Sequence, residues 1–506
     1  MIFGKRIVTM VLSSVFVSAI PSLAVSLGGL CFGSHMVLQR RMQVPIWGDA
    51  LPNENITVTF NGQTKQNKAG ADGKWMVKLD AMEAGGPYNL GVRGLDSIGL
   101  TDVMVGEVWV ASGQSNMEGT LESMGGANLD SARAANVPDL RVFTMWGDKT
   151  WRRCDSTAAK LTSATAFFFA KNLQAALGIP VGILVSAVGG TSIEQWIDTA
   201  TVHADPTFKG DSLAGGGFQS MITPIIPMAM RGVIWYQGES NTGADSTARW
   251  SYLNYRRRFA QLITGWRKAW GQGDFPFCYV QLPEMNAPQT APVDISPFAE
   301  VREGQRLALS QPNTAMAVIL GLGSATDIHP RNKPPVGKRL SQCALALSYG
   351  RSGIPYSGPI YESMRMDGNR IRLRFRFAES GLVAQGGGPL KGFAIAGADR
   401  KWYWADAAAS HDTIVVSSPQ VPLPVEVRYA WADNPEFNLY NGDGLTASPF
   451  RTSGAQLPAA LVAPRQVHRL SDANHAARKK SVDALGRLGQ DMRYRRGDAV
   501  PQHFSP

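Results

Sequence analysis

A chain of 506 residues holds about three domains at roughly 150 residues each. With 44% hydrophobic and 18% charged residues, its composition is globular and excludes a disordered, collagen-like or coiled-coil chain. The formal charge of +10 invites nucleic acid or anionic membrane as partner. Residues 465–506 alone carry nine Lys and Arg against four Asp, however, so half of the excess lies in a terminal tail rather than a groove.

Taken in chain order, residues 1–24 read as a signal peptide: Lys5 and Arg6, an apolar run from Ile7 to Ile20, then Pro21 and the small residues Ser22 and Ala24 at a cleavage site. The run is short for a bilayer span, and an uncleaved anchor helix is the alternative reading. The expectation is cleavage after Ala24, a periplasmic or secreted location, and no membrane span in the mature chain. Residues 25–102 form an expected N-terminal β domain, because Ile56–Phe60 followed by Asn61-Gly62, and Lys74–Leu79 after Asp72-Gly73, alternate with period two between turn dipeptides.

Residues 103–349 change texture. The short apolar runs Val105–Ala111, Val181–Ala187, Gly232–Tyr236, Phe277–Leu282 and Ala315–Leu320 predict strands buried on both faces, and Ala164–Leu177 and Tyr252–Trp270 predict helices. Alternating β and α elements imply a parallel sheet covered by helices, and five strands suit an α/β flavodoxin-like doubly wound sheet. Residues 350–462 return to β texture as a C-terminal β-rich domain, and residues 463–506 form a basic tail expected to be disordered. Cys31, Cys154, Cys278 and Cys343 show no metal-ligand spacing, and the sequence leaves their pairing open.

In such sheets ligands bind beyond the carboxyl ends of the strands. There the sequence places Gly113-Gln114-Ser115-Asn116-Met117, Gly189-Gly190-Thr191-Ser192, Gln237-Gly238-Glu239-Ser240-Asn241 and Asp327-Ile328-His329-Pro330. Ser115 at a tight turn is a candidate nucleophile or, more blandly, a helix cap. His329, with Asp327 two residues before it, is the candidate base. Gly189, Gln237 and Asn241 are candidate donors to an oxyanion, with Glu239 beside them as a substrate-binding candidate. Gly321-x-Gly323 lacks the third glycine of a dinucleotide fingerprint, and no P-loop, H-E-x-x-H or G-x-S-x-G is present. Glu239 with Asp327 as a glycosidase pair, and Trp146, Trp151, Trp196 and Trp235 as a sugar floor, are weaker alternatives.

Together with Met36–Arg40 upstream and Asn438–Asn441 and Ala447–Thr452 downstream, these four strand-end motifs resemble the sialate O-acetylesterase family of SGNH hydrolases, over nearly the whole mature chain. The resemblance implies a three-layer SGNH core flanked by β-rich domains and a serine esterase acting on O-acetylated sugars without metal or cofactor. It implies Ser115 as nucleophile, His329 as base, and the Ser115 and Gly189 N–H groups, Gln237 and Asn241 as oxyanion donors. In the wider superfamily the acid stands three residues before the histidine. Asp327 stands two before, so either it or a backbone carbonyl orients the ring. Sialate is the first substrate implied and acetylated xylan or another plant polysaccharide the alternative; the competing readings are a non-catalytic carbohydrate-binding protein and a nucleic-acid binder acting through the tail. No nucleic-acid partner is expected, and the oligomeric state is not readable.

Overall fold

The structure is a computed structural model that describes residues 25–243, 252–351 and 353–453. The expected signal peptide and the whole of the basic tail lie outside the described residues. Among the described residues, no helix is long and apolar enough to cross a membrane.

The architecture is mixed α/β with several sheets. Near the N-terminus, Asn55–Phe60 and Gln63–Lys68 form an antiparallel hairpin through Asn61-Gly62, both with the positive φ that a tight hairpin turn demands. Val44–Asp49 pairs with Lys74–Leu79, and the alternating burial of Lys74–Leu79 seals Trp75, Val77 and Leu79 against the core.

The central sheet contains β1 (Ser97–Gly113), β2 (Asn136–Thr144), β3 (Arg152–Asp155), β4 (Val181–Ala187), β5 (Gly232–Tyr236), β6 (Phe277–Gln281) and β7 (Thr314–Val318). Their order is β3-β2-β4-β1-β5-β6-β7, parallel throughout except for the edge strand β3. The five strands expected from the sequence are β1, β4, β5, β6 and β7; they lie in the order second, first, third, fourth, fifth, as in a flavodoxin-like sheet. Two strands were not expected. β2 reads Asn-Val-Pro-Asp-Leu-Arg-Val-Phe-Thr, and its proline and charges hide the apolar Leu140, Val142 and Phe143 that it buries.

β1 is 17 residues long, so the change of sequence texture near residue 103 falls inside one strand. Its first half pairs with Gly85–Arg93 and its middle with Val37–Gln39. The seam is locked by Glu107, which is fully buried and accepts from Gln39 Nε2 at 3.0 Å, from Arg231 Nε at 2.8 Å and from Arg40 Nε. Burial raises this carboxyl's pKa, but the two guanidiniums outweigh burial and hold it below the ordinary range.

Four longer helices cover the sheet. α2 (Ala164–Leu177), capped by Ser163 Oγ on Ala166 N, packs against α5 (Pro334–Ser348). α3 (Tyr252–Trp270) packs against α4 (Pro297–Leu307) and drives Phe259 and Trp266 onto Trp235 of β5 and Phe277 of β6. Beyond α5, two four-stranded antiparallel sheets enclose their own core of Ile371, Leu373, Phe375, Phe393, Ile395, Ile414, Val416, Val427, Tyr429 and Phe450. All four cysteines are buried with free thiols.

Candidate active site

Parallel register explains why separate motifs meet. Ala187 at the end of β4 and Tyr236 at the end of β5 both lie opposite Gly113, the last residue of β1. The chain leaving each strand therefore emerges beside the turn that carries Ser115. Gly113 sits at φ +140, and a Cβ there would lie 2.0 Å from the Tyr236 carbonyl oxygen, so only glycine lets β1 end this close to β5. The chain then enters α1 (Ser115–Glu118), whose first residue is Ser115; its N–H lies at a helix start and has no acceptor within the helix.

His329 reaches Ser115 from far away in the sequence. β7 lies three strands from β1, about 14 Å at the usual ~4.8 Å strand spacing, and the loop after β7 crosses back over that distance. It brings His329 Nε2 to 2.9 Å from Ser115 Oγ. Asp327 contributes through the backbone: its Oδ1 accepts from the His329 main-chain N–H at 2.9 Å, whereas the same oxygen is 3.9 Å from Nδ1 of the ring, outside hydrogen-bond range. The two side chains are each 42% exposed.

These residues line a cleft of about 460 Å³ together with Glu118, Gly119, Thr120, Ser123, Met124, Trp146 and Arg331. Of the four tryptophans considered for a sugar floor, only Trp146 lines this cleft; Trp151, Trp196 and Trp235 are buried as packing. Gly189 is adjacent to Ser115, since a Cβ on it would lie 3.3 Å from Ser115 Cβ. Its N–H donates to Glu118 Oε2 at 2.7 Å. Burial raises the Glu118 carboxyl above the ordinary range, with the Gly189 N–H pulling the other way.

Glu118 and Arg331 were not singled out from the sequence. The signal for Glu118 was its place three residues after Ser115, which puts both on one helical face. The signal for Arg331 was a charge two residues past His329.

Gln237, Glu239 and Asn241 take other places than expected. All three are buried. Gln237 Nε2 donates to Thr191 O at 3.2 Å and to Asn241 Oδ1 at 2.8 Å, and its Oε1 accepts from Tyr255 at 3.2 Å. Asn241 Nδ2 donates to Glu194 Oε2 at 3.0 Å. Neither amide lines the cleft, because these bonds turn it into the layer that locks the strand ends together. Glu239 lies behind Asn116, which donates to it at 2.6 Å, and so forms no carboxylate pair with Asp327 across the cleft. Among the described residues, no cluster of three or more His, Cys, Asp or Glu is arranged to hold a metal ion.

Residues 105–345, which span the central sheet and the cleft, match the family model for the carbohydrate esterase, sialic acid-specific acetylesterase. The solved structure of a carbohydrate acetylesterase from Xanthomonas citri is 38% identical and superposes with a TM-score of 0.78, covering 85% of this chain and 100% of that one. The chain belongs to the sialate O-acetylesterase family. Sialate O-acetylesterases of Homo sapiens and Mus musculus are each 28% identical; the matches cover 83% and 79% of this chain and 92% and 88% of theirs. As a member of this family the protein is a carboxylic ester hydrolase that removes O-acetyl groups from carbohydrate.

Proposed function

We propose that this family member is an exported sialate O-acetylesterase with a three-layer SGNH core flanked by β-rich domains, in which Ser115 is the nucleophile and His329 the base. The observation that carries the reading is the 2.9 Å contact between Ser115 Oγ and His329 Nε2 inside a cleft of sugar size.

The chemistry follows from that contact. His329 Nε2 takes the hydroxyl proton as Oγ attacks the acetyl carbon, and the carbonyl oxygen becomes an oxyanion facing the N–H groups of Ser115 and Gly189. To bind there it replaces Glu118 on the Gly189 N–H. Collapse of the intermediate expels the sugar oxygen, which takes the proton from His329, and leaves acetyl-Ser115. Water then loses a proton to His329 and attacks the acetyl carbon; acetate departs and Ser115 regains its proton. Asp327 orients the histidine through its main chain and leaves Ser115 and His329 as a dyad at the point of proton transfer.

The cleft supports an acidic sugar. Arg331, whose side chain is 70% exposed, lines the wall beside His329 and offers a guanidinium to a sugar carboxylate. A second reading, a neutral plant-polysaccharide ester, is favoured by the carbohydrate acetylesterase of Xanthomonas citri, which is more alike in sequence than the sialate enzymes. Acetate release measured side by side from O-acetylated sialic acid and acetyl-xylan separates the two. Turnover that persists unchanged in Ser115→Ala ends both.

A further inference from the structure

Asn116, the residue after Ser115, has every polar group of its side chain committed. Its Nδ2 donates to Glu239 Oε1 at 2.6 Å and to the Ile328 carbonyl at 2.9 Å, and its Oδ1 accepts from Lys333 Nζ. All three side chains are buried: Asn116 and Lys333 are fully sealed and Glu239 is 6% exposed. An amide has two donors and one acceptor oxygen, so the flipped rotamer would turn its NH2 toward an ammonium and its oxygen toward a carboxylate and a carbonyl. Burial raises the Glu239 carboxyl above the ordinary range, with the Asn116 hydrogen bond and Lys333 pulling the other way. An ammonium that can only donate on one side, and a carboxylate oxygen and a carbonyl that accept on the other, fix which way Asn116 points. One of the two protons so oriented holds Ile328, the neighbour of His329.

We propose that Lys333 is a positioning residue for the Ser115–His329 pair: with Glu239 it sets the Asn116 amide, and that amide ties the His329 loop to the first turn of α1. The tie joins two segments that approach from opposite sides of the strand ends, α1 beyond β1 and the long loop beyond β7. Among the described residues, four groups act on the ammonium: Asn116 from α1, the Tyr236 ring from β5 at 5.2 Å, and the carboxylates of Glu239 and Asp327. Burial lowers the lysine's pKa to about 8, against the pull of those two carboxylates. Lys333 is charged below that pH and loses its proton above it, when the preference that holds the amide is gone.

The inference rests on the esterase reading, and its test uses kcat, KM and variant crystal structures together. Lys333→Met leaves Glu239 buried without its counter-charge and can lose stability for that reason alone. The deciding protein is therefore Lys333→Met/Glu239→Gln, which removes both charges. On 4-nitrophenyl acetate, kcat of the folded double variant is expected to fall about a hundredfold, the usual cost of an ångström of misplacement, with KM little changed. Wild-type kcat is expected to fall as pH rises past Lys333's value of about 8, and that fall should vanish in the variant. Its crystal structure should show Ser115 Oγ and His329 Nε2 out of hydrogen-bond range. A folded double variant with wild-type kcat, the same alkaline limb, or an undisturbed contact overturns the proposal. If Ser115→Ala kept its turnover the esterase reading would fall instead, and the distance in the variant crystal would still decide the positioning.

Discussion

Two layers of the same motifs lie within a few ångströms of each other and obey different rules. In the cleft, Ser115, Asp327, His329 and Arg331 are part-exposed or open to solvent. Behind it, Asn116, Gln237, Glu239, Asn241 and Lys333 are sealed among their own hydrogen bonds. Cleft groups exchange partners with substrate and are costly to lose in rate. Sealed groups hold partners that no water can replace and are costly to lose in stability, and they cost rate as well only where, as at Lys333 and Asn116, they position a cleft residue. A motif read along the chain mixes the two, because neighbouring residues leave a strand end in opposite directions.

The largest test of this contrast is Ser115→Ala, which should lower acetate release by about 10⁴-fold or more while leaving the thermal midpoint of unfolding close to wild type, since no sealed group loses a partner. A variant that unfolds would show that the cleft is structural as well. Next comes Gln237→Ala. It should cost about 1–3 kcal/mol in denaturant unfolding, because Tyr255 and Asn241 lose a buried partner. The kcat of its folded fraction should change by less than the roughly 10²–10³ expected of a direct oxyanion donor. A loss of that larger size would return Gln237 to the cleft.

Arg331→Ala probes the cleft alone. It should raise KM for O-acetylated sialic acid about tenfold, the worth of one charge-assisted contact, and leave KM for a neutral acetyl ester unchanged. Equal effects on both would favour the polysaccharide reading.

Glu118→Ala is the smallest and is the one substitution expected to help. Freeing the Gly189 N–H should raise kcat/KM on a small ester by up to about fivefold, a net hydrogen bond of ~1 kcal/mol. The folded carboxyl is raised, so the wild type loses its competing charge as pH falls through that raised value. The advantage of the variant should be greatest at neutral pH and shrink on acidification. A slower Glu118→Ala enzyme would mean that the carboxylate supports the site rather than occupying it.

Much of the framework was legible because local physics and tertiary structure agree. β4 and β5 are uninterrupted apolar runs, as strands buried on both faces must be, and α2 and α3 carry helical length and composition from end to end. The hairpin at Asn61-Gly62 was readable from the left-handed backbone those residues tolerate. β2 was not, because its Pro138 and Asp139 break the apolar pattern and only its place at the flank of β4 buries the rest. The roles within the site divide the same way. A serine after a glycine turn and a histidine beyond the last strand announce themselves by type, whereas nothing in Gln237 or Glu239 says which way its side chain leaves the strand end.

By itself the sequence determined the five apolar strands of the central sheet and two of its helices, the chemistry available at each strand end and, through four motifs in one order, the family. Tertiary structure decided that the loop after β7 returns across three strands to bring His329 to Ser115, that Asp327 bonds the main-chain N–H of His329 rather than its ring, and that a buried lysine lies against Asn116 beneath them. The physical reason is range. Periodicity and turn chemistry act over a few residues and are written in local composition, whereas the direction of a buried polar side chain is chosen by the partner that satisfies it, and here those partners lie as many as 217 residues away.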